Sequence, residues 1–152
     1  MVVHNEWEAL CVAVEMERRA IRVYNRALML AEDDTVREGI RTILEQEKNH
    51  LARFIEMREQ YDNEDGSERE EALLQAMGAE MLFPGGVMEM ERSKGLSTQM
   101  DLYRFAADSE RNAMETYLAF SKKCHHGHVS EAFRSIAAEE CRHLASFQEM
   151  LK

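Results

Sequence analysis

A chain of 152 residues with 45% hydrophobic and 32% charged side chains, seven glycines and one proline has room for one domain, expected over residues 1–152. It lacks the turn residues that a sandwich or barrel of many short strands requires, so the class predicted is all-α. The 29 acidic against 19 basic side chains give a formal charge of -10, which repels phosphate backbones and anionic lipid and argues against nucleic acid and membranes as partners.

In chain order, Asn5 with Glu8 three residues on reads as an N-cap box, and apolar residues recur at helical spacing to about residue 31. Thr35 with Glu38 signals a second helix to about Tyr61. Ser67 with Glu70 opens a shorter helix to about Leu82, stopped by Phe83-Pro84-Gly85-Gly86. Thr98 with Asp101 starts another long helix to about Lys123, and Ser130 reads as the cap of a last one ending near Met150. The expected organisation is hairpin 6–61, crossover 62–97 with helix of its own, and hairpin 98–151.

Sliding the sequence by 93 residues superimposes the two hairpins without a gap. Ala13, Glu17, Arg18, Ala20 and Tyr24 meet Ala106, Glu110, Arg111, Ala113 and Tyr117. Of the 17 pairs from Arg41/Arg134 to Met57/Met150, nine are identical, so two copies of one hairpin in a pseudo-twofold bundle are predicted.

The repeated residues fall on one stripe. Ile40, Ile43, Glu47, His50, Phe54 and Met57 step by 3, 4, 3, 4 and 3, and Phe133, Ile136, Glu140, His143, Phe147 and Met150 step identically, as core positions of a bundle helix do. Four glutamates and two histidines thus stand where a bundle wants leucine or isoleucine. The midpoints of Glu17/Glu47 and Glu110/Glu140 are residues 32 and 125, both inside predicted turns, so antiparallel pairing brings all four carboxylates to one level. An acidic surface would explain any one glutamate, but poorly explains six core positions repeated at a fixed offset.

Four carboxylates buried together need a counterion, since burial costs several kcal/mol per ion, and two divalent cations would supply it. A mixed oxygen and imidazole donor set suits iron or manganese better than structural zinc. One Glu from each of two helices plus Glu-x-x-His from each of the other two is the donor pattern of ferritin-like carboxylate bundles.

Through Glu17-x29-Glu47-x-x-His50 and Glu110-x29-Glu140-x-x-His143 the chain resembles the ferritin-like superfamily. It is most similar to the rubrerythrin-like branch, by Glu139-Glu140-Cys141-Arg142-His143 and the Glu-x-x-Ala-x3-Tyr pattern at Glu17 and Glu110. The resemblance covers all four long helices. It implies a ferritin-like four-helix bundle holding two iron ions, with manganese or a mixed pair as alternatives, on Glu17, Glu47, His50, Glu110, Glu140 and His143. It also implies a homodimer. Rubrerythrin peroxidases carry a further glutamate where this chain has Ala113, and a rubredoxin domain with no counterpart here, so their redox-linked ligand exchange is not implied and a separate electron donor, such as a rubredoxin, is expected.

The remaining polar residues have plainer readings. Tyr24 and Tyr117 divide evenly between bonding the carboxylates and merely packing. His125, His126 and His128 read as a solvated loop, and Met77, Met81, Met88 and Met90 as gap-filling. Glu15 and Glu45 read as solvated, Glu139 as an outer partner of the ligands, and Cys141 as a half-buried, inert thiol. Cys11, Cys124 and Cys141 form no CxxC pair, and the start lacks a basic stretch followed by a long apolar run, so a cytoplasmic protein is expected.

The function expected is that of a di-iron oxidoreductase active against oxidative stress, reducing hydrogen peroxide or dioxygen with electrons from an external donor. A ferroxidase or iron-storage protein with Fe(II) as substrate is the alternative. A metal-clamped interaction bundle without catalysis ranks third, because hydrophobic seams would stabilise a bundle more simply.

Overall fold

The computed structural model describes residues 3, 5–61, 74–78, 98–125 and 127–152. Four long helices make up most of it: α1 (Glu6–Leu30), α2 (Asp34–Glu59), α3 (Gln99–Lys123) and α4 (Gly127–Met150). Among the described residues there is no strand, and no helix is long and apolar enough to cross a membrane.

The helix starts follow capping chemistry. Asn5 Oδ1 accepts from Glu8 N at 2.9 Å, and the Thr98 hydroxyl accepts from Asp101 N at 3.2 Å, as the sequence predicts. The cap of α2 is Asp33 and not Thr35: its carboxylate accepts from Val36 N at 3.0 Å, and a negative charge at that end also favours the helix dipole. The expected cap Ser130 lies inside α4, which begins at Gly127. Its hydroxyl is turned away to donate to Ser121 O at 2.6 Å. Gly127 and His128 therefore belong to the helix rather than to the connecting loop.

Packing is closest within the pairs α1/α2 and α3/α4, followed by α1/α3, with α2 and α4 more loosely packed than these three pairs. The α1/α2 turn is tied by Arg37, which donates to Leu28 O at 2.9 Å and to Ala31 O at 3.0 Å. Ser130 to Ser121 O is the same tie 93 residues later, with a hydroxyl in place of a guanidinium.

The core is apolar above and below the level of the glutamates. On one side Phe54, Tyr117, Phe120 and Phe133 form an aromatic cluster with ring centroids 5.3 to 5.7 Å apart. On the other, Tyr24 and Phe147 meet at 5.2 Å beside Ala27 and Ile40. At that thinner end α2 and α4 leave an open groove of about 350 Å³ lined by Thr35, Val36, Gly39, Ser146, Glu149 and Met150.

Residues Glu8 to Glu17 of α1 are all buried, the outward-facing ones included. The reason is visible at residues 74–78, a helical segment of the expected crossover that buries Leu74. A Cβ on Gly78 would lie 2.8 Å from Val12 O and 3.0 Å from Glu15 Cβ, so only glycine permits this approach. Glu15, read from sequence as solvated, is consequently buried and paired with Arg19 at 2.7 Å, while Glu45 is exposed as expected. The other residues expected in the short helix, with Met81, Met88 and Met90, lie outside the described residues, as does His126; Met77 packs on the core.

Candidate metal centre

α1 and α3 each present one glutamate inward, and α2 and α4 each present a glutamate and, one turn on, a histidine. Glu17, Glu47, Glu110 and Glu140 are each 1% exposed, His50 4% and His143 3%. They meet in one layer as two overlapping groups: Glu17, Glu47, His50 and Glu140, and Glu47, Glu110, Glu140 and His143. Within each group the ligand atoms lie within 4.8 Å of one another. Glu47 and Glu140 belong to both groups, whereas Glu17 and Glu110 each belong to one.

Both imidazoles turn Nδ1 inward. His50 Nδ1 lies 2.9 Å from Glu140 and 3.8 Å from Glu17 and Glu47. His143 Nδ1 lies 2.7 Å from Glu47, 3.5 Å from Glu140 and 3.6 Å from Glu110. The rings are nearly parallel, with centroids 6.0 Å apart.

Each Nε2 points outward to the opposite helix. His50 Nε2 meets Glu139 Oε2 at 2.8 Å, and His143 Nε2 donates to Gln46 Oε1 at 2.5 Å. Gln46 and Glu139 are equivalent positions of the repeat. Glu139 thus fills the outer role expected of it, and Gln46 fills it for the other histidine, which the sequence reading missed. The only sequence sign was the offset of 93 that pairs the two positions.

The tyrosines clasp across the hairpins. Tyr117 donates to Glu17 Oε1 at 2.9 Å, and Tyr24 donates to Glu110 Oε1 at 2.5 Å. Of the two readings open for these residues, bonding to the carboxylates holds, although both also pack on phenylalanines. Ser109 Oγ lies 2.8 Å from the Tyr24 hydroxyl and 2.9 Å from Ala106 O, whereas the equivalent place in α1 holds Met16.

The electrostatics of the layer follow from this geometry. Burial, then the charges of Glu47 and Glu140, hold Glu17 well above the usual carboxylate range, and burial with the same two charges does so for Glu110. Burial pushes Glu47 up too, but its interactions with Glu17, His143 and His50 outweigh it and hold its carboxyl well below that range. Glu140 is pushed up to about 7 by burial and the Glu47 charge. Burial opposes the charge on His143, yet the facing carboxyl groups of Glu110, Glu140 and Glu47 raise it to about 12. Without metal, the raised values of Glu17, Glu110, Glu140 and His143 favour protons in place of cations as the counter-charge of the layer.

That substitution is incomplete. Glu17 Oε2, Glu110 Oε2, Glu140 Oε1 and His50 Nδ1 are buried without a hydrogen-bond partner. Buried polar atoms are nearly always satisfied, and each orphan costs about 1–3 kcal/mol. His50 Nδ1 and Glu140 Oε1 are both orphaned and lie only 2.9 Å apart, with Nε2 turned to Glu139, so a cation shared by the two atoms would satisfy both. The donor set fits divalent cations.

The cysteines stand apart. Cys11 is buried and Cys141 is exposed, correcting the half-buried position expected for it, because its side chain points away from the seam between Glu140 and His143. Burial and the nearby Glu6 raise the Cys124 thiol to about 11, which leaves it un-ionised near neutrality. His125 N donates to Glu6 Oε1 at 2.6 Å, and its side chain and that of His128 are exposed, as expected for solvated positions.

No protein-family model, curated protein or solved structure matches this chain. Fold and site define its class on their own: a helical bundle with buried Glu/His clusters that could hold metal ions.

Proposed function

We propose that the chain is a ferritin-like, rubrerythrin-like di-iron oxidoreductase of the cytoplasm that reduces hydrogen peroxide or dioxygen with electrons from an external donor such as a rubredoxin. The observation that carries this reading is the set of orphaned, inward-facing atoms on two ligand groups sharing Glu47 and Glu140. Glu17 and His50 would complete the first position and Glu110 and His143 the second, with manganese or a mixed pair compatible with the same donors. The resemblance further suggests a homodimer and a ferritin-like crossover through residues 62–97.

Two iron ions bound there would supply two electrons to an O–O bond. The protein's own groups do the rest. Glu47 and Glu140, which belong to both ligand groups, would hold ions at both positions and offset their charge. The hydroxyls of Tyr24 and Tyr117 fix the terminal carboxylates and place a proton donor beside each. Apolar layers on both sides keep bulk water from the reacting atoms.

A second reading takes Fe(II) as substrate, in a ferroxidase. It is favoured by Glu139, whose side chain is 30% exposed and bonded to His50, so that an anionic group connects solvent to the buried layer between the loosely packed α2 and α4. The test is anaerobic loading with Fe(II), metal analysis, then rapid mixing with peroxide and with oxygen. Two ions per chain and faster oxidation by peroxide support the first reading, and repeated Fe(II) turnover with mineral deposition selects the second. Fewer than two ions overturns both.

A further inference from the structure

Gln46 and Glu139 occupy equivalent places, each immediately before a shared glutamate and each bonded to the histidine of the opposite helix, but one is an amide and the other a carboxylate. They are positioning residues. Each accepts the Nε2 proton and so sets the direction and the donor strength of the Nδ1 lone pair. A carboxylate is the stronger acceptor: it makes a charge-assisted bond, draws the proton further from the ring and enriches Nδ1 in electron density. It also brings a negative charge one imidazole away from the ion, whereas an amide brings none. The other donors are matched, one terminal glutamate for each position and the same two shared ones.

We infer that the two metal positions are unequal by construction: the His50 position, backed by Glu139, binds a divalent cation more tightly than the His143 position, backed by Gln46. The inference rests on the two-ion reading above. Exchange of such an outer partner changes metal affinity about 10–100-fold, so a separation of about tenfold is expected. The positions accordingly fill in order, and the second ion, on Glu47, Glu110, Glu140 and His143, is the one that comes and goes.

The test is anaerobic titration of the full chain with Co(II), followed by its d–d absorption and by calorimetry. Wild type is compared with Gln46→Glu, Glu139→Gln and the double exchange; these near-isosteric changes keep the hydrogen bond to each ring. Repulsion between two cations separates the binding steps whatever the outer partners are, so the direction of change decides. Gln46→Glu tightens the weak step about tenfold and leaves the strong one. Glu139→Gln weakens the strong step and leaves the other. Both narrow the gap, and the double exchange restores it. A purely structural role would instead weaken both steps in Gln46→Glu. Two Co(II) bound with a gap that widens or stays fixed in the single variants overturns the inference while leaving the two-ion reading intact. Fewer than two Co(II) in wild type overturns both.

Discussion

The hairpins 6–61 and 98–151 place the same side chains in the central layer but surround them differently. Glu17, Glu47, His50 and Tyr24 have equivalents in Glu110, Glu140, His143 and Tyr117, and the Tyr–Glu bonds cross between hairpins in both directions. Around them the copies part: Gln46 against Glu139, Met16 against Ser109, Ala27 and Ile40 against Phe120 and Phe133. The groove end shows the same divergence, since Gly39 and Ser146 correspond to the bulkier Ala132 and Arg53 at the opposite end. Repetition therefore determines which atoms converge, and the unmatched neighbours determine how each behaves. Even the equivalent Glu47 and Glu140 differ: interactions with Glu17, His143 and His50 hold Glu47 below the usual carboxylate range, whereas burial and the Glu47 charge raise Glu140 to about 7.

The largest effect separates shared from terminal glutamates. Glu47→Ala or Glu140→Ala should remove both ions from anaerobically loaded protein, whereas Glu17→Ala and Glu110→Ala should each leave about one by metal analysis. Equal losses in all four would erase the distinction.

Next in size is the aromatic end. Phe120→Ala gives α3 the residue that α1 carries at the equivalent Ala27, and should cost about 3–5 kcal/mol in urea unfolding of the metal-free chain. A loss under about 1 kcal/mol would show that this end tolerates the thinner packing of the other.

The third concerns pH. Glu140 and His143 both have folded values above their unfolded ones, so each contributes stability that is fully present below its unfolded value and is lost as pH rises through its folded value. For Glu140 that window runs from 4.5 to about 7, and for His143 from 6.5 to about 12. Glu47, depressed, contributes in the opposite sense, and only at low pH. Thermal unfolding of metal-free protein should thus lose stability from about pH 5 to 7, by up to about 1.4 kcal/mol per pH unit for each unbalanced proton. Metal binding expels those protons, so the stabilisation by metal should grow over the same range. A metal-free stability that rises from pH 5 to 7 would contradict the proton-held layer.

The smallest effect comes from Ser109→Ala, which makes the Tyr24 clasp resemble that of Tyr117. About 1 kcal/mol should be lost from the metal-free protein, with the metal content unchanged.

Much of this architecture was legible in the sequence because it is written in local periods and in the repeat. The four long helices, the caps Asn5 and Thr98, and the convergence of the six side chains required only helical spacing and the midpoint of each hairpin. What escaped depends on distant partners. Ser130 carries the residue type of a cap, and only Ser121 O nearby shows why its hydroxyl serves elsewhere. Glu15 reads as solvated until residues 74–78 cover it. Gln46 carries no sign of its role in its own neighbourhood, and becomes a histidine's partner only when residue 143 is brought to it.

The crossed clasps also order events in time. Each hairpin brings its own two glutamates together across one short turn, but Tyr24 to Glu110 and Tyr117 to Glu17 close loops of 86 and 100 residues, and the slowest contacts to form are those most distant in sequence. A lone hairpin holds a terminal glutamate whose phenol is on the other half, and a histidine whose outer partner is there too. On the two-ion reading, ion capture would therefore report on assembly: the layer would reach full affinity only once the second hairpin has docked on the first.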